Sequence, residues 1–123
     1  MDATCYCDYD LPIFYAARTV KARKQHRCDE CMFAIRPGEA YERVNAMWDR
    51  RPDTLRTCQR CLAVREYVAA HVPCFCWEHH NMLDNALETV REYAYSVPGM
   101  GMEFGRLYLT ARGTKRAARK GEG

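Results

Sequence analysis

The chain has 123 residues, 28% charged and 48% hydrophobic, which is the length and composition of one small globular domain. No apolar run approaches the roughly 18–20 residues that cross a bilayer, which excludes a helical span and predicts no membrane partner. The formal charge of +3 says little about partners: two four-thiolate zinc centres, at −2 each, would leave the protein near −1, so only local basic patches carry weight.

The chain opens at Met1 with no secretory leader, which predicts a cytoplasmic protein. Residues 1–12 form an acidic, turn-rich N-terminal arm that carries Cys5 and Cys7. Residues 13–20 are rich in strand formers. Lys21, Arg23, Lys24 and Arg27 then make a basic strip with no acid among them. Two readings fit the strip: counter-charge for a thiolate cluster, or a phosphate-binding surface. Cys28-Asp29-Glu30-Cys31 follows, then an apolar run at 32–35 and a turn at 36–39.

Residues 40–48 read as a strand, 49–53 as a charged turn with Arg50 and Arg51, and 54–57 as a short return strand. Cys58-Gln59-Arg60-Cys61 opens a helix over 59–70 that Pro73 stops. Cys74-Phe75-Cys76 leads to Trp77, Glu78, His79 and His80. A second helix spans 78–95, with Leu83, Ala86, Leu87, Val90 and Ala94 on one face. Pro98, Gly99 and Gly101 break it, and a third runs from 103 to 112, ended by Gly113. The tail at 113–123 is basic; Arg112, Lys115, Arg116, Arg119 and Lys120 are candidate partner contacts.

Eight cysteines without a leader point to metal rather than disulfides. In a secreted chain four disulfides would be the rival reading, but these pairs are spaced too closely to staple loops. Zinc takes four soft or borderline ligands at about 2.0–2.3 Å. Cys28 and Cys31 offer two thiolates from one tight bend, and Cys58 and Cys61 share one face of a helix start. The remaining cysteines, Cys5, Cys7, Cys74 and Cys76, form two pairs with one residue between, which suits sulfurs presented from extended chain. They predict a second zinc that joins the arm to the helices, with His79 or His80 as alternative ligands. Both centres, closed by protein ligands, read as structural.

A cysteine knuckle, a hairpin and a cysteine pair in the first turn of a helix are the order of elements in treble-clef zinc folds, and residues 26–71 resemble them. The 26 residues between the pairs exceed the short ribbon spacing and predict a long hairpin. The set Cys28, Cys31, Pro37, Gly38, Glu39, Tyr41, Cys58, Cys61, Cys74 and Cys76 also resembles small zinc-binding proteins of bacteriophages and prophages. That resemblance implies a protein of the host-cell cytoplasm that acts by occupying a host protein, including the class of inhibitors of host defence nucleases such as anti-CRISPR proteins.

Three enzymatic routes are weaker. Treble-clef nucleases carry a histidine on the hairpin, and residues 41–57 contain none. Zinc deaminases use Pro-Cys-x2-Cys, and the run at Pro73 is one residue short. A nucleophilic cysteine needs a free thiol, and pairing of all eight leaves none. The expectation is a single domain of α+β class: an arm at 1–12, a treble-clef-like core at 13–72, a helical extension at 73–112 and a basic flexible tail. Its expected work is binding a host protein or nucleoprotein complex, with direct DNA or RNA contact as the alternative and a nuclease third. Tyr93, Tyr95, Met100, Met102, Phe104 and Tyr108 are candidates for a protein interface or dimer contact, with ordinary helix packing as the other reading.

Overall fold

The computed structural model describes residue 7, residues 12–94 and residues 99–113. Over these the chain is α+β, in the order β1 (Phe14–Lys21), β2 (His26–Arg27), β3 (Ala34–Ile35), β4 (Ala40–Trp48), β5 (Arg51–Cys58), α1 (Gln59–His71), α2 (Met82–Tyr93) and α3 (Met100–Arg112). Strands β1, β4 and β5 make one antiparallel sheet with β4 central, and β2 pairs with β3 in a two-residue ladder. Among the described residues no helix is long and apolar enough to cross a membrane.

The hairpin is tighter than the sequence suggests. Its turn is Asp49 and Arg50 alone, at φ 48° and 65°. Two left-handed residues match the twist of the flanking strands. Arg51, Pro52 and Asp53 are therefore strand, opposite Trp48, Met47 and Ala46. Pro52 is tolerated because β5 is an edge strand.

Alternation along the strands gives the sheet two different faces. One buries Val44, Ala46, Leu55 and Thr57 and lies under the segment before α2. It is held there by Arg65 of α1, which donates to both carboxylate oxygens of Glu42 at 3.0 and 2.8 Å. On the other face Val20, Tyr41 and Cys58 run into the main core. Beyond them Arg18 lies opposite Arg43, and Arg43 opposite Arg56.

The helices close over the cysteine-bearing turn. Val64 and Val68 of α1, Leu83 and Ala86 of α2, and Met100 and Phe104 of α3 share one core with Cys28, Ile35 and Cys61. Helix α2 starts at Met82, four residues later than its pattern suggests, because residues 78–81 form a turn with His80 at φ 79°. Helix α3 starts at Met100, earlier than expected, because left-handed Gly99 (φ 81°) begins it and Gly101 is carried inside. Met100 and Phe104 belong to this core, whereas Met102 is exposed. Tyr95, Pro98 and the basic tail from 114 onwards lie outside the described residues.

Gly113 ends α3 at φ +76°, and a methyl group there would run into the Phe33 ring. Gly113→Ala is expected to cost at least about 1–2 kcal/mol in urea unfolding. Gly105→Ala, in open space within α3, is expected to stabilise by about 1 kcal/mol in the same measurement.

Candidate metal centre

Cys28 and Cys31 sit on a tight turn between β2 and β3. The Cys28 amide donates to the Phe33 carbonyl at 3.0 Å, and the Met32 amide to the Cys28 carbonyl at 3.0 Å. Met32 takes φ 68°, which lets the chain reverse within the turn. Cys58 is the N-cap of α1 and Cys61 lies in its first turn, which contains no acid. The positive end of the helix therefore faces the sulfurs.

The four side chains converge as the spacing predicts. Their sulfurs all lie within 4.8 Å of one another, with Cys28 to Cys61 at 3.8 Å and Cys31 to Cys58 at 3.7 Å. A tetrahedron with metal–sulfur bonds of about 2.3 Å has edges of about 3.8 Å. The donor set thus fits a tetrahedral dication. The amides of Glu30 and Cys58 donate to Cys28 Sγ at 3.3 and 3.4 Å, as suits a sulfur carrying negative charge.

Without a cation the sulfurs divide. Cys31 is lowered by hydrogen bonds from Cys28, Cys58 and Cys61. Cys28 is lowered to about 6; its bond with Cys31 opposes ionisation, and those from Cys58 and Cys61 favour it. Cys58 and Cys61 are raised, first by their bonds with Cys28. A bound dication would displace the remaining protons and leave a centre of net −2. Arg60 stands against this cluster: burial lowers its pKa, but Cys58 and Cys31 outweigh that and raise it. The counter-charge beside the sulfurs thus includes a residue from inside the second cysteine pair.

The predicted second cluster is present in part. Cys7, Cys74 and Cys76 bring their sulfurs within 4.8 Å of one another, while Cys5 lies outside the described residues. Cys7 and Cys76 are joined as a disulfide, and Cys74 Sγ lies 3.7 Å from Cys76 Sγ. The two uses of these sulfurs exclude each other, since a disulfide offers no thiolate. The cluster can hold a metal only after reduction. Neither histidine joins it. His79 Nε2 pairs with the Tyr15 hydroxyl at 2.8 Å, and its ring stands edge-on to Trp77 at 4.9 Å. Next to them a cavity of about 680 Å³ opens between Tyr15, Trp48, Phe75 and Trp77.

Two residues between the first cysteines escaped the sequence reading. Asp29 accepts the Arg56 amide at 2.7 Å and returns its own amide to the Arg56 carbonyl at 2.8 Å. Buried Glu30 accepts the amides of His80 at 2.7 Å and Met82 at 3.1 Å, in place of a side-chain cap on α2. No local signal marks them, because their partners are 27 and about 50 residues away. Of the candidate partner contacts, Lys21, Arg23, Lys24, Arg27, Arg50 and Arg51 are exposed. Arg112 is engaged within the molecule, with Asp84 at 2.6 Å and the Tyr108 hydroxyl at 3.1 Å. Lys115, Arg116, Arg119 and Lys120 lie outside the described residues.

No family model, no curated protein and no solved structure matches the chain.

Elemental analysis should find two metal ions per reduced chain and one after the Cys7–Cys76 bond is closed. One ion under both conditions would assign the second cluster to disulfides alone. A separate prediction concerns acid. Burial is the largest cause holding His79 below 6.5. The native state then binds fewer protons than the unfolded chain just below that pH. The stabilisation is present above pH 6.5 and is lost as pH falls through the lowered value. His79→Gln should flatten this acid limb in thermal unfolding between about pH 5 and 7.

Proposed function

We propose that the chain is a zinc-stabilised binding protein without catalytic chemistry of its own, built on a treble-clef core and working by occupying a protein or nucleoprotein partner. Zinc is the metal best suited to a tetrahedral all-cysteine site. The order of knuckle, hairpin and helix-borne cysteines supports the treble-clef assignment, and with it the resemblance to small phage and prophage proteins that block host machinery.

One observation carries the reading. The described metal centre is closed by four sulfurs, so it supplies folding free energy and leaves no position at which a metal-bound water would attack. Around it the protein exposes Lys21, Arg23, Lys24 and Arg27 on one segment. A small domain fixed by metal and carrying exposed cations is suited to recognising an acidic surface or a nucleoprotein.

Retention from a bacterial extract on the immobilised, zinc-loaded chain tests this, with Arg23→Glu/Lys24→Glu/Arg27→Glu as control. The expected result is a discrete set of proteins held by the parent and lost from the variant at equal zinc content. Nuclease treatment of the extract then separates a nucleoprotein from a protein partner. Turnover of DNA or RNA by the zinc-loaded chain would overturn the proposal, as would identical retention by both forms.

A further inference from the structure

The open face of the sheet carries charge that the fold itself does not use. Register places Arg18 of β1, Arg43 of β4 and Arg56 of β5 side by side across the strands. Neighbouring strands lie about 4.8 Å apart, so the three guanidinium stems cross roughly 10 Å of sheet. Like charges directly opposite one another destabilise a sheet.

The described residues do not offset them in the usual way. Among the described residues no side-chain hydrogen bond or ion pair is made by any of the three, and Nε of Arg43 and of Arg56 is enclosed without a partner. The carboxylate nearest in bonding terms, Asp29, is turned to the Arg56 backbone amide instead. Other arginines are treated differently: Arg65, Arg106 and Arg112 each meet an acid at 2.6–3.0 Å.

The rows beside the arginines complete a graded surface. Ala16, Asn45 and Thr54 come next, all exposed, with the Thr54 hydroxyl donating to Asn45 Oδ1 at 3.1 Å. Phe14, Met47 and Pro52 follow, and Phe14 is 54% exposed. They line a shallow hollow of about 350 Å³. At the opposite end Lys24 adds its field to those of Arg43 and Arg56.

We infer that this face binds single-stranded nucleic acid, with Arg18, Arg43 and Arg56 on successive phosphates and Phe14 as a platform for an unstacked base. The inference rests on the binding-protein reading and names the partner's chemistry. Charge complementarity selects a polyanion. The apolar row selects one whose planar groups are free to stack, which a duplex conceals and an acidic peptide lacks.

The test is fluorescence anisotropy with a labelled oligothymidylate of about 16 nucleotides and the zinc-loaded full chain. Arg18→Gln/Arg43→Gln/Arg56→Gln is expected to weaken binding at least about tenfold and to flatten the salt slope by about two units, three contacts at about 0.7 each. Thermal stability of the variant is expected to hold or rise, since repulsion is removed. Phe14→Ala is expected to weaken binding and leave the salt slope unchanged. It also tests the face if the triple variant fails to fold, as does Arg18→Gln alone on the edge strand.

Unchanged binding by these variants would overturn the inference. So would equal competition by polyglutamate, or duplex binding as tight as single-strand binding with Phe14→Ala silent. Oligonucleotide binding lost in the row variant, with retention from extract intact, supports the face and moves the extract partner to another surface. Retention lost while oligonucleotide binding persists overturns the face and leaves the binding-protein reading standing.

Discussion

The two residues between Cys28 and Cys31 hold the molecule's parts to one another. Asp29 latches the turn to the outer edge of β5 through bonds to both backbone groups of Arg56. Glu30 reaches the start of α2 and accepts two amides there. The Met82 amide is one of the orphan donors that every helix start leaves, and the His80 amide belongs to the turn that leads into it. Burial is the largest cause raising the Glu30 pKa, and the two amide bonds work against it. A carboxylate desolvated in this way is tolerated because each bond to a charged group contributes about 1.5–3 kcal/mol. The cysteine turn is therefore also the joint between sheet and helices.

That arrangement explains why the cysteine centre reaches beyond its own residues. Cys58 and Cys61 tie the turn to α1, Asp29 ties it to β5 and Glu30 ties it to α2. A cation that closes the four sulfurs fixes three elements at once, since loops of 27 and about 50 residues end on the same turn. The excess negative charge of such a centre is met by Arg60 and by the start of α1, both supplied by the segment that provides two of the ligands.

Much of this was legible in the residues. Cysteine spacing located the four-sulfur cluster, richness in strand formers located β1 and alternation located β4. The three helices were visible from apolar periodicity and from Gly113. The hairpin was misjudged because Asp49 and Arg50 take left-handed angles that sequence preference assigns to Gly or Asn. The start of α2 was misjudged because its cap is Glu30, about 50 residues distant. The arginine row was invisible for a related reason. Alternation shows that Arg43 lies on the same side of its strand as Tyr41, but only register places Arg18 and Arg56 beside it. Spacing alone also could not separate a thiolate cluster from a disulfide at Cys7 and Cys76, because both uses need the same proximity.

The latch and the arginine row meet at Arg56. Both of its backbone groups are held by Asp29 at the edge, its neighbours Leu55 and Thr57 pair with Val44 and Glu42 of β4, and its side chain belongs to the open face. Repulsion across the row would favour splaying of the strands. The two-residue turn at Asp49 and Arg50 resists that from one end of β5. The cysteine turn resists it from the other, through Asp29 and through Cys58 at the strand's last position. Strands locked at both ends can carry three cations abreast without parting. A cation bound by the four sulfurs would therefore do more than hold a small core together, because the turn it closes also keeps this charged row in register.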